Sequence, residues 1–526
     1  MLLLYNARIH TLHAAAPQAS ALLIDHGQIA AVGDRESLRE SAAPGTEQVD
    51  LQGQTVLPGL TDAHLHLQYY ALGLQKVDCE TSSKAECLRR VTERVRLLQP
   101  GEWLQGHGWN QNPWGGWPTA ADLNSAAPRN PSYLTAKSLH AAWASSAALR
   151  LAGIDRNTPD PRDGKILRDE AGNPTGILLE GAMESVSRAI PAPSATLIEA
   201  AIEGALPSLW RAGLTCVHDY DRRPAFLALQ ALRARDRLKL RVLKNIPVDD
   251  LDHAIGLGLT RGFGDEWLWI GGVKAFMDGA LGPRTAAMFE PYDGEPANRG
   301  MLSMDGEQLL EHGRRAASLG LPMTVHAIGD RANHEALNAF AQLRRLERTD
   351  GLPHLRHRIE HVQLLHPEDA SRLAALDVIA SMQPLHATSD MKMADRYWGR
   401  RANLAYAWRT QLNAQARLAF GSDAPVESPN PFLGLHAAVT RQREDGSPSP
   451  EGWYPEQRLT LSEALHAYTT GAAYAAHAEN RLGRLAPGFA ADLIVLKRDP
   501  FTCHPSEIVA LRPSATMIAG EWVWQA

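Results

Sequence analysis

The feature that most constrains the fold is a series of eight short apolar runs between residues 57 and 425. The runs are bounded by Gly or Pro and rich in branched apolar side chains, which is typical of buried parallel strands. Segments with helical spacing of apolar residues lie between them, for example residues 306–317 and 332–346. Regular alternation of strands and helices predicts a parallel sheet covered by helices.

Eight strands alternating with helices are the number needed for an α/β fold of the (β/α)₈ or TIM-type barrel class. In chain order, the predicted strands are residues 57–66, 213–219, 240–245, 269–274, 321–326, 358–361, 378–383 and 418–423. Active sites in such barrels are built at the C-terminal ends of the strands. The side chains at the ends of these runs are therefore the candidates for chemistry.

Six of the side chains at these strand ends are of types found in metal centres. They are His64, His66, Lys274, His326, His361 and Asp423. His64 and His66 lie one residue apart in an extended segment, so their imidazoles point to the same side. Any one of these histidines alone would more often be structural, and Asp423 could merely cap a loop. Their shared position at successive strand ends favours a metal centre instead.

The order of these residues resembles the binuclear metal site of the amidohydrolase superfamily. Residues 272–286, Gly-Val-Lys-Ala-Phe-Met-Asp-Gly-Ala-Leu-Gly-Pro-Arg-Thr-Ala, are similar to the amidohydrolase family 3 branch that contains N-substituted formamide deformylases. Residues 106–111, 326–330 and 483–496 agree with the same branch. The resemblance covers nearly the whole chain, and the motifs are specific as a set.

The resemblance implies a mechanism and a cofactor. His64, His66 and Asp423 would hold one divalent ion, and His326 and His361 would hold a second. Lys274 would bridge both ions as a carbamate formed with CO₂, although a lysine here could also pair with Asp278 or a phosphate. Zinc is the expected metal.

A hydroxide bridging the two ions would then attack an amide-type C–N bond of an N-acyl or N-formyl amine. Asp423 would be the catalytic residue, taking the proton of the water and delivering it to the leaving nitrogen. The resemblance thus implies an amidohydrolase that acts on carbon–nitrogen bonds other than peptide bonds.

The sequence leaves one alternative function open and argues against two others. Lactone or phosphoester hydrolysis uses a similar binuclear centre, and the sequence does not separate it from amide cleavage. A deaminase of this fold would need a catalytic Glu after strand five, but residues 327–330 are Ala-Ile-Gly-Asp. A catalytically inactive scaffold would have lost ligands, whereas this chain retains the complete set.

The spacing of the strands predicts further domains. Roughly 145 residues separate strands one and two, far more than a βα loop needs, so an inserted subdomain at about 68–205 is predicted inside a barrel domain of residues 57–479. Its five tryptophans either line a lid over the barrel mouth or form its own core. Residues 1–56 and 480–526 have the pattern of short strands. By the resemblance, they form a small β-sandwich.

The candidate substrate contacts lie in the insert or near strand ends. They are Trp109, His140, His218, Arg284, Gln383 and His386. His218 could instead orient a metal ligand, and Arg284 could form a surface salt bridge. Members of the family usually have Asp-Gly-His where this chain has Ser138-Leu139-His140. A family member's substrate is therefore not transferred to this chain.

The composition limits the partners. A net charge of −6 and an isoelectric point near 6.4 leave no basic stripe for nucleic acid, so a small-molecule substrate is the expected partner. A homodimer is compatible with the sequence.

The four cysteines show no Cys-x-x-Cys spacing, which favours reduced thiols in the cytoplasm. The apolar start at residues 1–4 is too short for a signal peptide or a membrane span.

Overall fold

The computed structural model describes residues 1–137, 140–162 and 164–526. The chain folds as two compact units. The first contains Met1–Tyr70 and Ile202–Ala526, and the second contains Ala71–Ala201.

The strands are numbered along the chain. They are β1 (Leu2–His10), β2 (Gln18–Asp25), β3 (Gln28–Gly33), β4 (Glu47–Asp50), β5 (Thr55–Pro58), β6 (Leu60–Leu65), β7 (Val77–Asp78), β8 (Leu104–Trp109), β9 (Ser132–Ala136), β10 (Ala141–Ala144), β11 (Gly164–Arg168), β12 (Pro174–Glu180), β13 (Leu214–Asp219), β14 (Arg241–Pro247), β15 (Leu268–Phe276), β16 (Met323–Ala327), β17 (Arg358–His361), β18 (Ile379–Met382), β19 (Leu418–Phe420), β20 (Leu493–Leu496), β21 (Pro513–Ile518) and β22 (Glu521–Gln525).

The α-helices are numbered in the same way. They are α1 (Arg35–Ser41), α2 (Leu67–Gly73), α3 (Lys84–Val95), α4 (Gln111–Trp114), α5 (Ala120–Ala126), α6 (Ser146–Leu151), α7 (Ala182–Ser187), α8 (Ala195–Arg211), α9 (Arg223–Ala234), α10 (Leu251–Leu257), α11 (Gly306–Ala317), α12 (Asp330–Thr349), α13 (Arg372–Ala375), α14 (Pro384–Trp398), α15 (Trp408–Asn413), α16 (Pro431–Thr440), α17 (Leu461–His466) and α18 (Ala472–Ala475). Among the described residues, no helix combines the length and apolar character needed to cross a lipid bilayer.

The first unit contains the predicted barrel. Its eight strands are all parallel and lie in the order β6, β13, β14, β15, β16, β17, β18, β19. The first strand meets the segment that follows the last strand, where Asp423 N donates to His64 O at 2.7 Å and His66 N donates to Ala424 O at 2.8 Å. The prediction of a TIM-type barrel is therefore confirmed.

The predicted first strand is divided at Gly59. β5 precedes this residue and joins a second sheet, whereas β6 follows it and enters the barrel. A Cβ atom at Gly59 would lie 2.3 Å from Thr215 Oγ1, so only glycine allows the chain to pass so close to β13. One run of sequence thus connects the two sheets.

The second sheet of the first unit combines both ends of the chain. Its order is β22-β21-β20-β5-β1-β2-β3, with β4 paired to β1. Alternate side chains of these strands form one apolar cluster that includes Leu4, Leu22, Val56, Leu493 and Met517. The small β-sandwich predicted from the termini corresponds in the structure to this single eight-stranded sheet.

The second unit has a six-stranded sheet in the order β11-β12-β10-β9-β8-β7. Trp109, Trp114 and Trp143 pack on one another with ring centroids 6.1 to 6.4 Å apart. Trp109 is completely buried, and its Nε1 donates to Leu134 O at 2.8 Å. These indoles form the core of the unit, so we assign Trp109 to packing and not to substrate contact.

Candidate metal centre

The predicted ligands gather at the C-terminal ends of the barrel strands. His64 and His361 each offer a ring nitrogen, and Asp423 offers a carboxylate oxygen, all within 4.8 Å of one another. His66 Nε2 lies 3.5 Å and His64 Nε2 3.6 Å from Asp423 Oδ1. The ring centroids of His326 and His361 are 4.6 Å apart. Five of the six candidates therefore line one space.

The second nitrogen of each histidine ring meets a fixed hydrogen-bond acceptor. The pairs are His64 Nδ1 with Glu360 Oε2 at 2.6 Å, His66 Nδ1 with Asp221 Oδ1 at 3.1 Å, His361 Nδ1 with Gln383 Oε1 at 2.8 Å, and His326 Nε2 with Gly279 O at 3.0 Å. Each acceptor places the proton on the nitrogen that faces it and leaves the lone pair of the other nitrogen available. This is the arrangement that a metal-binding histidine requires.

Burial keeps most of these rings neutral. Together with the charge of nearby Lys274, it lowers the pKa of His64 to about 4 and that of His326 to about 3. Burial also brings the pKa of His361 well below its ordinary value. For His66, burial acts in the same direction, but the hydrogen bond to Asp221 prevails and the pKa is raised.

Lys274 is the sixth candidate, and its amine lies in unusual surroundings. The side chain is 3% exposed, and Nζ has no hydrogen-bond partner among the described residues. Nζ lies 4.8 Å from the centre of the Tyr220 ring and 4.7 Å from that of Phe276. Burial lowers the pKa of this amine to about 8. A buried amine that is partly neutral and lacks a partner is suited to covalent modification by CO₂, which would give it ligand oxygens.

The loop after β19 sets the position of Asp423. Asp62 Oδ1 accepts from His64 N and from Ser422 N, each at 3.0 Å, and so ties the first barrel strand to the last. Asp423 itself has a φ of 59°, in the left-handed region that non-glycine residues seldom adopt. Although burial opposes it, the hydrogen bond from His386 holds the pKa of Asp423 well below its ordinary range.

His386 is the candidate substrate contact that lies closest to Asp423. Its Nε2 is 3.3 Å from Asp423 Oδ2, and its Nδ1 is 3.9 Å from Glu427 Oε1. Burial alone would lower the pKa of His386, but the hydrogen bonds to these two carboxylates raise it to about 10. Asp423 thus presents one oxygen to His64 and His66 and the other to a charged imidazole.

Each of the other candidate contacts has a different environment. Gln383 holds His361, as described above. His218 is completely buried, and its Nδ1 accepts from Arg358 Nη1 at 3.0 Å, so it belongs to the polar interior of the barrel. Arg284 forms an ion pair with Glu295 at 2.5 Å, which is the salt bridge foreseen as its alternative.

The remaining predicted contact is in the second unit. His140 is exposed and forms an ion pair with Glu180 at 3.0 Å. Ser138 and Leu139, which depart from the family's triplet, lie outside the described residues.

Sequence reasoning missed the carboxylates that orient the ligands. Glu360, which holds His64, also accepts from Tyr220 Oη at 3.0 Å and is paired with Arg358. Asp278 accepts from the backbone of Ile328 at 3.0 Å and of Gly329 at 2.8 Å, and so fixes the turn after His326. A signal was present, because Glu360 is adjacent to a ligand and Asp278 lies in the family motif.

Comparisons with known proteins agree with this geometry. Residues 47–524 match the amidohydrolase family. A putative amidohydrolase, YtcJ, of Bacillus subtilis is 33% identical over 98% of this chain and 98% of its own. N-substituted formamide deformylase of Arthrobacter pascens is 30% identical over 99% of this chain and 97% of its own.

One solved structure extends the likeness to the fold. An uncharacterized metal-dependent hydrolase from Pyrococcus furiosus superposes with a TM-score of 0.79 at 33% identity, covering 95% of this chain and 99% of that one. The match over almost the whole length, together with the strand-end ligands, shows that this chain belongs to the amidohydrolase family.

Proposed function

We propose that this protein is a metal-dependent hydrolase that cleaves the amide C–N bond of N-acyl or N-formyl amines. One observation carries the proposal. Four histidines have one ring nitrogen held by an acceptor, three of them lie beside Asp423, and the unpartnered amine of Lys274 is close enough to lower the pKa of His64 and His326. The full-length similarity to a relative named N-substituted formamide deformylase supports the choice of an amide bond.

The donor set fits two divalent ions, with zinc as the proposed metal. His64, His66 and Asp423 would hold one ion, and His326 and His361 would hold the other. Carbamylated Lys274 would connect them, since its Nζ has no competing partner. Bound metal would supply Lewis-acid chemistry, making a water molecule acidic near neutral pH and polarising the substrate carbonyl.

The protein's own residues handle the proton. Asp423 is ionised at neutral pH because its pKa is depressed, so its carboxylate can accept the proton of the attacking water. As the water oxygen bonds to the carbonyl carbon and the C–N bond breaks, the same carboxylate returns that proton to the leaving nitrogen. His386, 3.3 Å from Oδ2, holds the carboxylate in place during both transfers.

Elemental analysis tests the metal centre directly. Protein purified without chelators and with bicarbonate present should contain about two ions per chain. Lys274→Ala should reduce this to one or none, because the bridging oxygens are lost. Propionate should partly restore the second ion by placing a carboxylate in the hole left by the side chain. Lys497→Ala, at an exposed lysine, should retain two ions.

Two results would count against the proposal. Wild-type protein that binds no zinc, manganese or cobalt after reconstitution would contradict a metal-dependent hydrolase. Two ions per chain in Lys274→Ala would instead show that Lys274 is not a ligand of the metal centre. The bond that the protein cleaves can be identified by incubating the metal-containing protein with N-formyl amines, N-acetyl amines and lactones. We expect formate or acetate to be released from the amides.

A further inference from the structure

A small cavity lies inside the barrel, nearer to the N-terminal ends of the strands than the metal centre is. It is lined by residues of β14, β15, β16 and β17, and by Ala475–His477 at the end of α18. The space available to the centre of a water-sized sphere is about 10 Å³, which admits one particle of that size. Barrel interiors are ordinarily filled by layers of side chains, so an unfilled polar space needs an explanation.

Gly271 creates part of this space. A Cβ atom at this position would lie 2.8 Å from Asn245 Oδ1 and 2.8 Å from Leu243 Cγ. Any larger residue would therefore occupy the volume beside Asn245. The cavity exists because the fourth strand of the barrel has a glycine where a side chain would project inward.

Asn245 presents an unused donor to the cavity. The residue is 1% exposed, and its Oδ1 accepts from Gly272 N at 2.9 Å. Its Nδ2 has no hydrogen-bond partner among the described residues. A buried amide donor without a partner is unfavourable, so a bound acceptor is expected here.

The charged side chains around the cavity are all cationic. Arg261, Arg356 and Arg358 line it, and no carboxylate is among its lining residues. Arg356 is paired with Glu479 at 2.6 Å, and Arg358 is paired with Glu360. Arg261 has no ion pair with any described residue. Three guanidinium groups thus line the cavity, and only Arg356 and Arg358 form ion pairs with described residues, Glu479 and Glu360, while Arg261 is exposed and is also attracted by Glu479.

His477 shows the effect of that charge. Its Nε2 is buried and has no partner within the described part of the chain. Burial, Arg261 and Arg356 together lower the pKa of His477 to about 3. The ring is thus neutral, and the region has a positive potential that an anion would relieve.

The cavity shares part of its lining with an open groove. Arg261, Ala476 and His477 also line this groove of about 280 Å³, to which Arg481 adds a further cation. The acids of this groove already have partners, since Asp265 pairs with Arg233 at 2.6 Å and Glu266 pairs with Arg241 at 3.2 Å. An approaching anion would therefore meet unpaired positive charge first.

We propose that this cavity binds one small monovalent anion of the halide class, which accepts a hydrogen bond from Asn245 Nδ2 and is enclosed by Arg261. Asn245 Nδ2 and the guanidinium groups of the lining are donors, which an anion requires. The site is separate from the metal ligands. Arg358 lines it and also pairs with Glu360, so the anion would lie two contacts away from His64.

Bromide is a suitable probe because its electron density can be identified by anomalous scattering. Crystals of the full-length protein grown in sodium bromide should show one bromine peak within hydrogen-bond distance of Asn245 Nδ2. In solution, bromide added to halide-free protein at constant ionic strength should raise the thermal midpoint in a saturable way.

Three variants make the test specific. Asn245→Asp keeps the acceptor for Gly272 N but replaces the free donor with a carboxylate, so the peak and the saturable shift should both disappear. Arg261→Gln should weaken bromide binding roughly tenfold through loss of one charged contact, a change of about 1.4 kcal/mol. Arg222→Gln removes an exposed arginine that is not part of the cavity and should bind bromide as the wild type does.

The proposal is overturned if wild-type crystals show no bromine peak at Asn245. It is also overturned if the saturable shift persists unchanged in Asn245→Asp, because bromide would then be bound elsewhere. Binding that is equally weakened in Arg222→Gln would indicate a general charge effect and would contradict a defined site.

Discussion

At the scale of single residues, the site depends on Asp423 being ionised and correctly oriented. Asp423→Asn removes the proton acceptor but keeps the shape of the side chain. We expect hydrolysis of an N-formyl amine to fall at least about 100-fold, with an unchanged circular dichroism spectrum. Activity within a few-fold of the wild type would exclude Asp423 as the proton carrier.

The contact between Gln383 and His361 gives a second prediction at this scale. Gln383→Leu removes the acceptor for His361 Nδ1, so zinc affinity measured by chelator competition should fall roughly 10- to 100-fold. Gln383→Glu retains an acceptor and should stay close to the wild type. Gln230→Leu, on the exposed face of α9, is the matched control. Equal affinities in Gln383→Leu and Gln230→Leu would show that the contact does not orient the ligand.

The position of the candidate ligands at one face of a barrel could be predicted from the sequence, because each lies at the end of an apolar run, and the structure brings five of the six to one space. The residues that orient them could not be predicted in the same way. Glu360 lies on β17 and holds His64 on β6, a contact between strands that are not neighbours in the barrel. No local pattern encodes such a pairing.

At the scale of secondary-structure elements, the eight barrel strands and their order were predictable because buried parallel strands have a simple composition. The residues at which these strands end were less predictable. β15 continues for two residues beyond Lys274, and Asp423 lies three residues beyond β19. The division of the first run at Gly59 also required the position of Thr215, which sequence spacing does not supply.

The junction between β6 and the end of β19 gives a prediction for glycine. A Cβ atom at Gly421 would lie 2.5 Å from His64 N and 2.7 Å from Asp62 Oδ1. Gly421→Ala should therefore lower the free energy of unfolding by about 1–3 kcal/mol and weaken metal binding. Both quantities can be measured by denaturant titration with and without zinc.

Gly204 provides the matched control for this change. It lies on the exposed side of α8, and a Cβ atom there would meet nothing within 4 Å. Gly204→Ala should stabilise the protein by roughly 0.5–1 kcal/mol, because alanine is the better helix former. If both variants destabilised equally, the crowding at Gly421 would not be the cause.

At the scale of the whole molecule, acid stability should depend on a buried pair between α12 and the segment before β17. Burial opposes ionisation of Glu347, but hydrogen bonds from His357 and Arg344 lower its pKa from 4.5 to about 2. Its stabilising effect is thus complete above about pH 4.5 and is lost as the pH falls toward 2. The thermal midpoint of the wild type should decrease over this interval.

The thermal midpoint of Glu347→Gln should decrease less than that of the wild type over the same pH interval, because the titrating carboxyl group is absent. Glu40→Gln, at an exposed carboxylate, should follow the wild-type curve. A wild-type slope retained in Glu347→Gln would mean that other carboxylates govern the acid transition.

The division of the molecule was also partly predictable. The length of the segment between the first two barrel strands indicated an inserted subdomain, and the structure has a compact unit at Ala71–Ala201. Its tryptophans allowed two interpretations, a lid or a core. Composition could not decide between them, because the packing of Trp109 against Trp143 is a tertiary contact.

The hydrogen bond from Asp423 N to His64 O joins two parts of the chain that are synthesised at different times. His64 leaves the ribosome early, whereas Asp423 follows roughly 20 to 70 seconds later at ordinary rates of translation. During that time a growing chain carries the histidine pair but not the acid. Because Asp423 is the proposed proton carrier, we expect a chain released before Asp423 is synthesised to lack hydrolytic activity.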